Sequence, residues 1–408
     1  MKITIVGPGA VGATLAASFT AGGAQVSLLG APGAHLHAIA EHGLLVDSTG
    51  STARYRLAAS HDPALLPDPD LVVICVKGQD LSAAVARVRP WIEAGADVLV
   101  VANGVPWWLL ATVDGFGYQV IRKVDPDGGL LDLLPPSRVM AGVAHFSSSV
   151  PEPGHVTHTG GDCLIIGDPL GGASARVDRC AKALSAGPVR AEVSVGIRTA
   201  MWEKLLGNVN LNPVSALTGG TVLEILQSPD LRQLCADIFK ETAEVGARLG
   251  IPTTMSADER LEVAARLGNF RTSMLQDSDR GRRLETDAIL GAVRELARRT
   301  GVPSPAMDAV DGLLSLRERV RHPDPDPDQG PDRERVRYPD PGPDQGPDRE
   351  RVRHPGQDPG QDPGQDPGQD PGQDPGQDPG PDPGQDPGPD PDQGLDPGQG
   401  LDPDQERT

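Results

Sequence analysis

Cysteines, aromatic side chains and long apolar runs are all scarce in this 408-residue chain. The four cysteines form neither a CxxC pair nor the paired spacing of a metal site, so we predict no bound metal and a reducing, cytoplasmic setting. No uncharged run approaches the roughly 18 apolar residues of a membrane helix. The N-terminus begins directly with strand-forming residues. We therefore expect no signal region, no membrane partner and no nucleic-acid partner.

Apolar side chains are nearly absent from the C-terminal part. From His322 onward there are 23 acidic residues against 7 arginines, and Tyr338 is the only aromatic residue. The segment PDQGPDRERVR occurs twice, and GQDPG then repeats through most of 356–388. Such a segment cannot bury enough surface to offset its ordering entropy, so we predict that 322–408 is disordered. Most of the net negative charge of the chain therefore lies in this tail.

The remaining residues predict an α/β fold followed by a helical part. A strand at 2–6, a glycine loop, a helix at 10–22 and a strand at 25–29 follow one another, and strands and helices alternate to about residue 120. This order is typical of a Rossmann-type doubly wound sheet. An antiparallel extension is predicted from about 138, and a helical pattern from 198. We predict a dinucleotide-binding domain at 1–196 and an all-α domain at 197–321, with a cleft between them. The predicted helices of the second domain are 198–211, 230–249, 257–268, 282–300 and 305–320.

Residues 7–12, GPGAVG, match the pattern G-x-G-x-x-G. The match follows a strand and opens a helix, which is the setting that a dinucleotide-binding loop requires. Gly7 permits the tight turn, Gly9 lets the backbone approach a pyrophosphate, and Gly12 lets the helix pack on the strand.

The choice of dinucleotide depends on the end of the second strand. An NAD site usually has an acidic residue there, about 20 residues beyond the loop. This chain has no acid between Gln25 and Glu41, which favours NADPH, although no arginine is present to bind a 2′-phosphate. His35 is a possible substitute, but a surface histidine is the commoner interpretation.

The segment MWEKLLGNVNLNP, 201–213, combines an apolar helix pattern with one lysine and three asparagines. Lys204, Asn208 and Asn212 recur at four-residue steps and share a helical face, whereas Asn210 falls off that line and is predicted to be exposed or local in role. A lysine in a cleft can act as a general acid when desolvation lowers its pKa. From spacing alone, a solvated face is the commoner interpretation. Pro213 is predicted to break or kink the helix.

Four further positions remain open from the residues alone. Glu285 lies among charged neighbours and fits an exposed helix charge, while Ser273 fits either a helix cap or a ligand. Lys77 and Asn103 follow predicted parallel strands, where open α/β sheets bind ligands, but each also fits a turn.

Taken together, these residues resemble the ketopantoate reductase (2-dehydropantoate 2-reductase) family over about 1–319. The resemblance depends on GPGAVG, on VK at 76–77, on NG at 103–104, on KLLGNVNLNPVSAL at 204–217 and on SMLQD…GRRLETD at 273–287. It implies NADPH-dependent reduction of a small 2-oxo acid by a monomer or homodimer. It implies that Lys204 is the general acid supported by Glu285, and that Asn103, Asn208, Asn212 and Ser273 bind substrate. The cofactor-binding residues it implies are Gly7, Pro8, Gly9, Ala10, Val11, Gly12, Lys77 and Asn103.

The chain departs from the family pattern at several positions. Pro32 stands where the family often has the arginine that binds the 2′-phosphate, so NADH is not excluded. Ala102 replaces a frequent glutamine, and Leu284 and Thr286 flank Glu285 where threonine and isoleucine are usual. The alternatives are a related reductase of another 2-oxo acid and a non-catalytic dinucleotide-binding protein whose tail recruits partners.

Overall fold

A computed structural model describes residues 1–48 and 50–323 of the chain. The predicted disordered tail lies outside the described residues from position 324 onward. None of the described helices is long and apolar enough to cross a membrane.

The described residues contain one ten-stranded sheet with the strand order β4-β3-β9-β8-β7-β6-β1-β2-β5, and β10 pairs with β9 beside this path. Its strands are β1 Lys2–Val6, β2 Gln25–Leu29, β3 Leu44–Ser48, β4 Ser51–Tyr55, β5 Ala58–Ser60, β6 Leu71–Ile74, β7 Asp97–Val100, β8 Met140–Glu152, β9 His155–Gly167 and β10 Arg190–Ser194. The helices of this part are α1 Ala10–Ala21, α2 Ala34–His42, α3 Leu81–Glu93, α4 Gly129–Leu133 and α5 Ala175–Ala183.

The parallel part of the sheet confirms the predicted doubly wound fold. β1 lies between β2 and β6 and is parallel to both, so the chain reverses its direction of travel across the sheet at this strand. The interior strands are apolar on both faces because helices cover both, as the buried run Leu71–Ile74 illustrates. Ligands of such sheets bind outside the carboxyl ends of the strands at the reversal, which here are the ends of β1 and β6.

The predicted antiparallel extension is the hairpin of β8 and β9. β3 and β10 both add to β9 in parallel register, and β4 closes that edge as an antiparallel hairpin with β3. The short strands β3 to β5 and β10 were not predicted, because their apolar patterns are too short to stand out from the surrounding loops.

The helical part begins at Ile197, directly after the last strand. Its helices are α6 Ile197–Thr218, α7 Val222–Gln227, α8 Pro229–Arg248, α9 Ala257–Ala265, α10 Ser273–Asp279, α11 Ala292–Thr300 and α12 Pro305–Arg321. The predicted break at Pro213 is wrong, since α6 continues to Thr218 and ends at Gly219 in the left-handed conformation. Proline removes one helical N–H, but Pro213 is buried and packing on neighbouring helices keeps the segment helical.

The predicted helix at 282–300 is also partly wrong. Residues 282–285 are not helical, and the helix starts at Thr286 with a π-helical turn over Asp287–Gly291 before α11. Such π turns occur frequently at functional sites. Glu285 therefore immediately precedes a helix rather than lying on one.

The apolar core of one sheet face runs on into the helical part. It joins residues of β6, β7 and α3 to residues of α6, α8 and α12 in one cluster. A second cluster under α1 and α5 covers the opposite face. The division into domains 1–196 and 197–321 stays a prediction, and the continuous core means that the helical part packs directly on the sheet.

Candidate active site

The glycine loop joins β1 to α1 at the centre of the sheet. Gly7 has φ +85°, a conformation that disfavours side chains, and a Cβ there would lie 2.7 Å from Val76 Cγ1. A Cβ on Gly12 would lie 2.2 Å from the Gly7 carbonyl oxygen. Both glycines are therefore required by the turn and by the packing of α1 on β1, as predicted.

Neither the turn nor the packing of α1 on β1 requires a glycine at Gly9. Its φ of −72° suits any residue, and a Cβ there would meet no atom of the described residues within 4 Å. The first turn of α1 has no acidic residue, and no side chain in the part of the chain that the structure describes caps its N–H groups. The helix start thus offers free N–H donors and the positive end of its dipole to an anion, beside a backbone without a side chain. These features fit a dinucleotide pyrophosphate.

The structure removes His35 as a candidate for binding phosphate. Its Nδ1 accepts a hydrogen bond from the Gly154 N–H at 3.0 Å, so its Nε2 carries the proton and donates to the Pro8 carbonyl oxygen at 2.8 Å. Burial lowers the pKa of His35, which favours this neutral form. The histidine instead fixes the glycine loop to α2 and to the β8–β9 turn.

Glu285 lies at the carboxyl ends of β6 and β7. Its Oε1 accepts a hydrogen bond from the Gly78 backbone N–H at 3.1 Å. Burial raises the pKa of Glu285 above its ordinary value, while this hydrogen bond, the charge of Lys77 and the side chain of Asn103 act in the opposite direction. Three of the positions singled out from the sequence therefore meet here.

Close backbone packing holds this arrangement in place. Gly104 has φ +92°, and a Cβ there would lie 2.3 Å from the Ala288 carbonyl oxygen in the π turn. That oxygen accepts a hydrogen bond from the Val105 N–H at 2.8 Å. A Cβ on Gly78 would lie 2.7 Å from Ala288 Cβ. The loops after β6 and β7 thus contact the π turn directly, which sets the position of Glu285 against them.

Lys204 projects from α6 toward β8. Its Nζ donates a hydrogen bond to the Ala144 carbonyl oxygen at 2.8 Å. Burial lowers the pKa of Lys204 to about 8, and the negative charge of Glu285 offsets part of that shift. No carboxylate of the described residues lies within 4 Å of the amine. Lys204 is therefore an amine that can both hold and release a proton near neutral pH.

Lys204, Asn208 and Asn103 line one small cavity of about 230 Å³. A neighbouring apolar cavity of about 450 Å³ shares Asn103, Gly104 and Met201 with it. The buried indoles of Trp107 and Trp108 also line the larger cavity. The strand ends and α6 thus line two adjoining cavities, one with polar groups in its lining and one with indoles.

Two of the predicted substrate-binding residues lie outside these cavities. Asn212 is on α6 one turn beyond Asn208 and is buried, with 6% of its surface exposed. Ser273 is exposed at the start of α10, where Thr272, and not Ser273, caps the helix by accepting the Leu275 N–H at 3.1 Å. Contacts of these two residues with a substrate stay predictions.

The expectation of an exposed Asn210 is wrong. The residue is fully buried, and within residues 1–48 and 50–323 neither its amide nitrogen nor its amide oxygen has a hydrogen-bond partner. The reason is that α8 covers the side of α6 that faces away from the cleft, where Cys235 approaches the Asn210 carbonyl. Periodicity separated Asn210 from the face that carries Lys204 and Asn208, but it did not reveal the helix that covers the other side of α6.

Sequence reasoning did not assign a role to Asp277, although the residue lies within the quoted SMLQD motif. Its carboxylate forms an ion pair with Lys77 Nζ at 2.8 Å and lies 3.8 Å from Arg282. It therefore links α10 to the loop after β6. The partners of Lys204 and Glu285, the Ala144 carbonyl and the Gly78 N–H, are backbone groups that leave no side-chain signal in a sequence.

Comparisons with known proteins identify the family of the chain. The family model described as ketopantoate reductase PanE/ApbA matches residues 3–171, and the model of its C-terminal part matches 196–318. A 2-dehydropantoate 2-reductase of Mesorhizobium japonicum is 36% identical over 315 residues, which cover 77% of this chain and 97% of the relative.

Solved structures give the same assignment. A protein of Ralstonia solanacearum MolK2 assigned as a ketopantoate reductase is 38% identical, with a TM-score of 0.74 over 78% of this chain and 98% of the other. A D-mandelate dehydrogenase in a ternary complex with NADH and anilino(oxo)acetate shares the fold at 22% identity, with a TM-score of 0.68 over 79% of this chain and 99% of that one. The family models and the 36% identical relative show that the chain is an oxidoreductase that belongs to the ketopantoate reductase family.

Proposed function

We propose that this chain reduces the ketone of 2-dehydropantoate to the alcohol of pantoate with NADPH, and that Lys204 is the general acid. The observation that carries the proposal is the partly buried Lys204 amine, whose pKa is lowered to about 8 and which shares a cavity with Asn103 and Asn208. The 36% identical relative, which bears the name of this activity, supports the choice of substrate.

In this mechanism the bound NADPH supplies the hydride. The Lys204 ammonium group donates its proton to the carbonyl oxygen of the substrate, and the amine is left neutral. The Ala144 carbonyl, at 2.8 Å from Nζ, holds the lysine side chain toward the cavity. The amides of Asn103 and Asn208 offer both donors and acceptors to the substrate carboxylate and hydroxyl groups.

Glu285 assists the acid without contacting it. Its negative charge stabilises the protonated form of Lys204, which otherwise suffers from desolvation. The Gly78 N–H at 3.1 Å fixes the orientation of the carboxylate, and Lys77 lies close enough to favour its charged form. Lys204 and Glu285 therefore keep a proton available at a place where burial desolvates both groups.

The test is the initial rate of reduction of 2-dehydropantoate by the full chain with each nicotinamide cofactor. Lys204→Ala should lower kcat by roughly 10²- to 10⁴-fold, which is the usual contribution of a positioned acid. The matched control is Lys240→Ala, because Lys240 is an exposed helical lysine whose only close partner among the described residues is Asp237. Near wild-type turnover in Lys204→Ala would overturn the mechanism.

A second candidate is the reduction of a bulkier, apolar 2-oxo acid. The apolar cavity of about 450 Å³ beside Asn103, with Trp107 and Trp108 as its wall, favours it. If this space holds the substrate side chain, aromatic and branched 2-oxo acids should show a higher kcat/KM than 2-dehydropantoate. Trp108→Phe should then change the ranking of a substrate panel without changing the role of Lys204.

A further inference from the structure

The carboxyl end of β2 lacks a residue that could distinguish the two nicotinamide cofactors. β2 ends at Leu29, and the exposed residues after it, Ala31, Pro32 and Gly33, are all uncharged. His35, the next polar residue, is already bound to two backbone groups. In a sheet of this kind the ribose of the adenosine lies at the end of this strand, so the discrimination must come from another element.

Arg87 reaches this place from α3. Both of its terminal nitrogens donate to the carbonyl oxygen of Gly30, the first residue after β2, at 3.3 Å each. Side chains of a helix point toward its N-terminus. A residue in the middle of α3 can therefore reach the carboxyl end of β2. The pattern of helix α3 alone does not reveal this contact, since the two residues are 57 positions apart.

The charge of Arg87 is not neutralised by a carboxylate. Among residues 1–48 and 50–323, no acidic oxygen lies within 4 Å of its guanidinium, although the side chain is partly buried. Asp62, which follows the adjacent strand β5, instead accepts the Ala64 N–H at 3.0 Å. Arg282 also acts on His35 electrostatically, but it lies 3.8 Å from the Asp277 carboxylate. Arg87 is thus an arginine that contacts the end of β2, has no carboxylate partner among the described residues and has donors to spare.

We propose that Arg87 binds the 2′-phosphate of NADPH and takes over the task of the arginine that Pro32 replaces. This inference rests on the proposed function in its choice of NADPH. A guanidinium has five N–H donors, and the shared contact with the Gly30 oxygen uses two of them at long distance. The remaining donors suit a phosphate group, which arginine binds through paired, charge-assisted hydrogen bonds.

The experiment measures dissociation constants of the full chain for NADPH and NADH by intrinsic tryptophan fluorescence, and for 2′,5′-ADP and 5′-AMP by calorimetry. Arg87→Gln should weaken binding of the two 2′-phosphorylated ligands roughly 10- to 100-fold, the range for loss of a charged hydrogen-bonding partner. Binding of NADH and 5′-AMP should change less than about 3-fold, since neither carries the group that the arginine contacts. Arg89→Gln is the matched control, because Arg89 is on the same helix but is exposed and paired with Glu93 at 2.6 Å.

A purely structural role of Arg87, as a tie between α3 and β2, gives a different result. Arg87→Gln would then weaken the binding of all four ligands equally, and this outcome would overturn the inference. Adding Pro32→Arg to Arg87→Gln should restore NADPH binding if the contact with the phosphate was lost. The same change would not restore a lost contact between α3 and β2. Should Arg87→Gln fail to fold, Arg87→Lys retains the charge without the planar fork, and a selective loss for the 2′-phosphorylated ligands supports the inference there as well.

The failure of the proposed function can be told apart from the failure of this inference. A wild-type chain that binds NADPH no more tightly than NADH overturns the choice of NADPH, and the role of Arg87 with it. A wild-type preference for NADPH that survives in Arg87→Gln overturns the role of Arg87 alone. Neither result depends on turnover, so an inactive Lys204 variant can serve as the parent protein.

Discussion

Replacing Lys204 with methionine should stabilise the protein at neutral pH even though it removes the proposed acid. The lysine pKa falls from its ordinary value of 10.5 to about 8 because the amine is desolvated. At about 1.36 kcal/mol per pH unit, holding this charge costs the folded state roughly 3 kcal/mol at pH 7. The hydrogen bond to the Ala144 carbonyl, which the variant loses, offsets about 0.5–1.5 kcal/mol. The expected net gain is about 2 kcal/mol.

The pH dependence gives this prediction a definite sign. Below about pH 8 the lysine is charged in the folded and the unfolded states, so the wild type carries the full penalty. Between about 8 and 10.5 the unfolded chain binds more protons than the folded one, and the free energy of unfolding rises with pH. The advantage of Lys204→Met should therefore be largest near pH 7 and shrink as the pH approaches 10.5.

The assay is urea unfolding of both proteins without cofactor at pH 7 and pH 9.5, since a ligand that binds only the folded state would add its own stabilisation. Lys240→Met is the matched control, and because Lys240 is exposed we expect a change within about 0.5 kcal/mol. A Lys204→Met variant less stable than the wild type at pH 7, with a difference that does not vary with pH, would show that the amine is not desolvated.

Three further outcomes follow from the same geometry. The kcat/KM for 2-dehydropantoate should fall as the pH rises through about 8, where Lys204 loses its proton, and a flat profile up to pH 10 would contradict its role as the acid. Gly9→Ala should leave the thermal stability unchanged or slightly raised, since a Cβ there meets no protein atom, yet weaken cofactor binding measured by fluorescence about tenfold or more. Removal of 324–408 should leave kcat within about twofold, because every site residue precedes that segment, and a steady-state assay of the shortened chain against the full chain would expose any larger loss.

Periodicity and spacing predicted the fold well where local pattern decides it. The strand, glycine loop, helix and strand at the N-terminus agree with β1, α1 and β2 because one short segment contains the whole signal. The length of α6 was not predicted. Its continuation past Pro213 depends on burial against α8, a tertiary effect that overrides the local preference of proline.

Spacing in the sequence predicted that some side chains of the candidate site lie together, but not how they are arranged. The lysine and asparagine of α6 share one cavity with Asn103, as four-residue spacing on a helix suggested for the first two. The contact of Glu285 with the Gly78 N–H joins positions 207 residues apart, and no spacing rule reaches that far. Backbone partners such as this N–H and the Ala144 carbonyl appear only when the chain is folded.

The desolvation of the cleft acts on both ionisable groups in a way that suits proton transfer. Burial lowers the pKa of Lys204 and raises the pKa of Glu285, so the two values approach each other from opposite sides. Admitting water would return both groups toward their ordinary values, leaving the lysine a weaker acid at neutral pH. The close packing of Gly78 and Gly104 on the π turn leaves no room for a side chain or a water molecule between these loops and the turn. A larger residue at either glycine, such as Gly104→Ala, should therefore raise the apparent pKa of the kcat/KM profile as well as lower the rate, whereas a substitution that only displaced the substrate would lower the rate without moving the pKa.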